Sequence, residues 1–158
     1  CGRSWKALPS NSKRFTAPYS TSVSRVFAAP RAFVFDAFTK PEILRKWWGP
    51  EGMTLTGIQL DLRVGGAYRF DKTAPNGAVH SVVGRITSLE PPAGLGYTWA
   101  WLDDEGKPGL ETYVSITFAE RGDRTEVVLT HTGFPDAEVA ELHNRGWTST
   151  FNCLEQTR

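Results

Sequence analysis

Thr125-Glu126-Val127-Val128-Leu129-Thr130-His131, then His143-Asn144-Arg145-Gly146-Trp147 within the stretch from Pro135 to Leu154, decide the reading of this chain. In the first segment Thr125, Val127, Leu129 and His131 alternate with Glu126, Val128 and Thr130. That is the period of a strand with one covered face. From about Pro135 the period changes. Val139, Leu142, His143, Gly146, Trp147, Thr150, Phe151 and Leu154 recur at three- and four-residue steps, the apolar stripe of one long helix. A stripe of that length needs a partner surface, and the preceding sequence supplies one.

Working towards the N-terminus, the two-residue period repeats. Thr112, Val114, Ile116 and Phe118 form one strand face, and Tyr97, Trp99 and Trp101 another. His80 to Glu90 reads as a strand with Gly84 as a bulge or tight spot. Tyr68 and Phe70 face one way, and Arg69 and Asp71 the other. Thr56, Ile58, Leu60 and Leu62 alternate with polar partners. Turn signals separate these runs at Gly65-Gly66, Pro75-Asn76-Gly77, Pro91-Pro92 and Arg121-Gly122-Asp123, the first read as a two-residue hairpin. Earlier still, Ala32 to Phe38 has helical spacing behind Pro30. Thr39-Lys40-Pro41-Glu42 has the spacing of a capping box and opens a second short helix that ends at Trp47-Trp48-Gly49-Pro50. Residues 20 to 27 read as a first strand. The order is strand, two short helices, six antiparallel strands and a long helix, an α+β pattern. A long helix lying across a curled sheet readily leaves a pocket beneath it.

The chain has 158 residues, 40% hydrophobic and 12% aromatic, enough for a sizeable core. Its net charge of +1 excludes a nucleic-acid partner on bulk charge, and no apolar run is long enough for membrane insertion. Cys1 and Cys153 make no disulfide framework, which favours a reducing, cytoplasmic setting. Residues 1–19 read as a flexible, basic, Ser-rich leader without an acidic residue, and residues 20–158 as one domain. The first residue is not Met, which reads as a processed or truncated end.

The residues that carry a family resemblance are Arg25-Val26-Phe27-Ala28-Ala29-Pro30, Val34-Phe35-Asp36-Ala37-Phe38-Thr39, Trp47-Trp48-Gly49-Pro50, Asp61-Leu62-Arg63-Val64-Gly65-Gly66 with Tyr68-Arg69-Phe70, Leu129 to Pro135, and Gly146-Trp147. In this order they resemble the START-like (SRPBCC, helix-grip) superfamily, and within it the branch named after the activator of heat-shock-protein ATPase. The resemblance implies a curved antiparallel sheet of six to seven strands wrapped around a long C-terminal helix. It also implies a final helix that runs further than this chain does. Members of the superfamily include lipid carriers, polyketide cyclases, antibiotic-resistance proteins and a co-chaperone domain, so the function rests on the site.

The sequence has no phosphate-binding loop, dinucleotide fingerprint, nucleophile elbow or local zinc-ligand spacing, and no cofactor or metal is expected. The candidate ligand-binding residues are Trp48, Phe70, His80, Trp99, Trp101, Thr112, His131, Phe134, Trp147 and Phe151. The candidates for proton chemistry are His80, Glu111 and His131, and His143 reads as structural. Trp47 and Trp48 adjoin a helix end, so only one of them is expected to face inward. The first expectation is binding of a small apolar or aromatic molecule, in a carrier, sequestering or stress-response role. A cofactor-independent cyclase or hydrolase is the alternative, and a co-chaperone-like partner of a heat-shock ATPase a further one. Monomer and homodimer both remain open.

Overall fold

The computed structural model describes residues 19–49 and 51–156. The leader up to residue 18, the stop at Pro50 and the last two residues lie outside the described residues. The elements are β1 (Tyr19–Phe27), α1 (Arg31–Thr39), α2 (Pro41–Trp47), β2 (Thr54–Leu60), β3 (Ala67–Thr73), β4 (Val79–Glu90), β5 (Gly94–Trp101), β6 (Thr112–Arg121), β7 (Arg124–Phe134) and α3 (Ala137–Gln156). The strands form one antiparallel sheet in the order β1-β7-β6-β5-β4-β3-β2. Sequential neighbours pair through hairpins, and α1 and α2 carry the chain from one edge of the sheet to the other. This is the helix-grip fold.

The alternating residues explain the layering. Tyr68, Phe70, Val82, Ile86, Tyr97, Trp99, Val114, Ile116, Phe118, Val127 and Leu129 all lie buried on the face that α3 crosses. Most of their alternating partners on the same strands are exposed or half-buried, as a sheet with one covered face requires. Register shifts at Leu55/Gly57 and Ile86/Ser88 help bend the sheet around the helix.

The long helix is anchored at both ends. The Asp136 carboxylate accepts from the Val139 amide at 2.9 Å and caps the first turn. Asn144 donates to Thr21 on β1 at 2.7 Å. Arg25 of β1 donates to Asn152 at 2.7 Å and to Glu155 at 3.0 Å. These contacts fix the tilt of α3 against one sheet edge and leave its middle free to stand off from β5.

Three local expectations are corrected. Thr39 does not cap α2, because its hydroxyl donates back to Phe35 O at 2.9 Å in α1. Lys40 takes the N-cap position without a side-chain bond. Gly65-Gly66 is no two-residue turn, since β2 ends at Leu60 and residues 61–66 form the connection, leaving Leu62 exposed. Of the two readings of Gly84, bulge or tight spot, the structure shows the tight spot. A Cβ there would overlap the Thr98 carbonyl and the Tyr68 ring, which lies across it and donates its hydroxyl to Thr98 O.

The tryptophan pair is the third correction, because both rings are buried. Trp47 keeps the helical phase, packs edge-on against Phe38 and donates its indole N–H to Ala37 O at 2.9 Å. Trp48 is the C-cap of α2, with extended backbone (φ −70°, ψ 136°). Leaving the helical phase turns its ring towards Phe70 and Trp99 instead.

Candidate functional site

Where α3 stands off from the sheet, a cavity of about 240 Å³ opens. Its sheet wall is Trp99 and Trp101 of β5 with Lys72 of β3. Its helix wall is Leu142, His143, Gly146, Trp147 and Thr150. Trp48 and Gly49 close the end nearest α2. Leu142 is 54% exposed and marks the side open to solvent. Gly146 makes the space possible, since a Cβ added there would meet nothing within 4 Å. It is an absence of bulk in the middle of the stripe, not a point of tight packing.

Trp99 is the hub. Its ring centroid lies 5.0 Å from that of Trp147, 5.4 Å from Trp101 and 6.0 Å from Trp48. Such tilted and edge-on arrangements present ring faces of different orientation to one space, which suits a planar apolar guest. Lys72 is the charged member. Its Nζ lies 4.7 Å from the Trp101 ring centroid and 5.7 Å from that of Trp48. Burial lowers its pKa to about 8, so the ammonium persists at neutral pH but is poorly hydrated. Among the described residues it forms no ion pair.

Behind the aromatic wall runs a fully engaged polar chain. The Trp147 indole donates to His131 Nδ1 at 3.0 Å. An indole nitrogen only donates, so Nδ1 must accept and Nε2 must carry the hydrogen. That hydrogen points to Thr112 Oγ1 at 2.7 Å, and the Thr112 hydroxyl donates to Trp99 O at 3.2 Å. His143 is engaged in the same way: Nε2 accepts from the Trp101 indole at 3.1 Å and Nδ1 donates to Val139 O at 3.0 Å. Burial lowers His131 to about 2, with a small further push from His143. Burial also lowers His143 to about 4, against the pull of its bond to Val139 O. Both rings are neutral over the physiological range, and neither has a nitrogen left to take a proton from a guest.

The expected site residues therefore separate into groups. Trp48, Trp99, Trp101 and Trp147 line the cavity. Thr112, His131 and Phe134 stand behind it, with Phe134 packed 4.5 Å from His131 and 4.6 Å from His143. Phe70 supports Trp48 at 4.9 Å. Phe151 lies elsewhere, in the core between Phe27 and Phe38. His80 has the inward phase of Val82 but is exposed near the start of β4, opposite Lys72 in the ladder. Glu111 is exposed just before β6 and borders a groove of about 400 Å³ on the outer face, together with Arg69 and Arg85. The proton-handling candidates thus share no space: His80 sits at a rim, His131 behind the wall and Glu111 on the other side of the sheet.

Sequence reasoning missed Lys72 as a site residue and read His143 as structural only. The signal for Lys72 was present, because the period that places Tyr68 and Phe70 inward places Lys72 there too. Among the described residues no group of three or more His, Cys, Asp or Glu side chains could hold a metal ion. No helix among them is long and apolar enough to cross a membrane.

Comparison with known proteins agrees with this geometry. The AHSA1 protein of Silicibacter pomeroyi is 30% identical and superposes with a TM-score of 0.80, over 87% of this chain and 95% of that one. A protein of Chromobacterium violaceum is also 30% identical, with a TM-score of 0.74 over 87% of this chain and 96% of that one. A protein of Nitrosomonas europaea shares the fold at 22% identity and a TM-score of 0.74, over 87% of this chain and 92% of that one. No curated protein gives a match. The sequence pattern of the Activator of Hsp90 ATPase homolog 1-like proteins matches residues 28–157. With its seven-stranded sheet gripping a C-terminal helix over a cavity, the chain belongs to the Activator of Hsp90 ATPase homolog 1-like family.

Proposed function

We propose that this protein binds a small aromatic or apolar molecule in the cavity between β5 and α3, as a carrier or sequestering protein rather than an enzyme. The observation that carries the reading is the set of four tryptophans, Trp48, Trp99, Trp101 and Trp147, converging on one space that Gly146 leaves open. A volume near 240 Å³ with one open side suits a guest of one or two fused rings. Binding is favoured over catalysis because general acid–base chemistry needs a group able to exchange a proton with the substrate. Both cavity-side histidines are held neutral with both nitrogens occupied, and Glu111 is on the far face of the sheet.

Native mass spectrometry of the purified protein, followed by denaturation and identification of what is released, tests this reading. An aromatic or apolar molecule recovered chemically unchanged supports it. A molecule converted to product on incubation with the protein, with turnover lost in His131→Gln, contradicts it in favour of the enzyme.

A further inference from the structure

We infer that the guest is an aromatic acid: a flat apolar body lying among the tryptophans, with an anionic group paired to Lys72 and an acceptor atom available to Trp99. This inference rests on the proposed function and adds the charge of the ligand to it.

Two independent observations carry it. The first is Lys72. It enters from the sheet wall of an otherwise apolar, aromatic cavity, held over the Trp101 and Trp48 rings, with no carboxylate opposite it among the described residues. Its neighbours from the other elements offer none. His143 on α3 is neutral, Thr150 is a hydroxyl, and Gly49 has no side chain. Asp71, beside it in the chain, faces the outer side, where it is bonded to Arg69 and Ser81. An ammonium half-removed from water without a counter-ion is an incomplete pair, and an anion in the cavity completes it.

The second observation is the Trp99 indole. Trp99 is 4% exposed and lines the cavity, yet among the described residues its N–H, itself closed off from solvent, has no hydrogen-bond partner. The indoles of Trp47, Trp101 and Trp147 all donate to protein acceptors. A buried donor left unmet is uncommon in a folded protein, and a small turn of the Trp99 ring on binding brings it to an acceptor that arrives with a guest. A carboxylate serves both needs: it carries the charge that Lys72 lacks and oxygens that accept from N–H.

The test compares 2-naphthoate with the isosteric neutral 2-naphthamide by isothermal titration calorimetry at pH 7, on the wild type and on Lys72→Met. The wild type is expected to bind the acid at least about tenfold more tightly than the amide, since a desolvated charge-assisted contact is worth about one decade or more in affinity. Lys72→Met is expected to erase that preference, weakening the acid by about tenfold more than the amide. Lys72→Arg, which keeps the charge, retains it. Equal binding of acid and amide by the wild type overturns the inference and leaves the proposed function standing. A preference that survives in Lys72→Met overturns it as well. Failure of both probes to bind overturns the proposed function and this inference together.

Discussion

Acidification is expected to destabilise this protein well above the range in which most carboxylates titrate. His131 and His143 are held neutral, at about 2 and about 4, whereas in the unfolded chain a histidine titrates near 6.5. Between those values the unfolded state takes up protons that the native state refuses, so stability falls as pH drops through 6.5 and keeps falling towards 4. At pH 5 the unfolded chain is stabilised by about 2 kcal/mol per histidine, about 4 kcal/mol in all. That is a large part of a typical 5–15 kcal/mol. Lys72 does not contribute to this window, because with a native value of about 8 it is charged in both states there. The carboxyl of Asp71 is held low by Ser81 and Arg69, so its contribution is lost only at more acid pH. Urea unfolding at pH 7.5, 6.5 and 5 reads the effect. The midpoint is expected to drop by about 2 M from pH 7.5 to 5 at an ordinary urea slope. In His143→Gln the pH dependence is expected to halve. A midpoint unchanged between pH 7.5 and 5, or a native-state histidine signal titrating near 6.5 for His131, would refute the buried, neutral chain from Trp147 to Thr112.

Other perturbations separate the cavity from the core. Gly146→Ala is expected to raise stability by about 0.5–1 kcal/mol in thermal unfolding, because it adds helix propensity where a Cβ has free space. Gly146→Leu is expected to fill the cavity and abolish binding of 2-naphthoate while the far-UV circular dichroism spectrum stays native. Trp99→Ala is expected to cost about 3–5 kcal/mol of stability in urea unfolding, since it empties the hub of the aromatic cluster. Trp101→Leu, at the partly exposed wall, is therefore the better probe of affinity and is expected to weaken binding without unfolding the chain. His80→Ala and Glu111→Gln are expected to leave both affinity and stability within about 0.5 kcal/mol, as both side chains are exposed outside the cavity.

The inward face of the sheet was legible because a two-residue period assigns faces without reference to anything distant. Tyr68, Phe70, Val114, Phe118, Val127 and His131 all point where their phase puts them. The same rule fails where depth matters. His80 shares the phase of Val82, but phase does not reveal how far the helix extends over a strand, and the cover ends before His80. Trp48 was illegible for a different reason: the helix stops one residue earlier, and a single extended φ/ψ pair redirects a large ring. Thr39 had a valid capping spacing but a nearer acceptor in its own helix. Lys72 was legible and overlooked, because a lysine in an apolar phase reads as a solvated strand end until its aromatic neighbours are known. The link from Trp147 to His131, Thr112 and Trp99 joins α3, β7, β6 and β5, and no local pattern encodes it.

The most direct test of the cavity as the site is a titration of ¹⁵N-labelled protein with 2-naphthoate, following the indole N–H signals of the tryptophans. Trp48, Trp99, Trp101 and Trp147 are expected to shift together, with Trp99 moving furthest downfield as its N–H gains an acceptor. Trp47, bonded to Ala37 O in the core, stays in place. Shifts confined to the outer face around Arg69, Arg85 and Glu111, with the four cavity indoles unmoved, would contradict it.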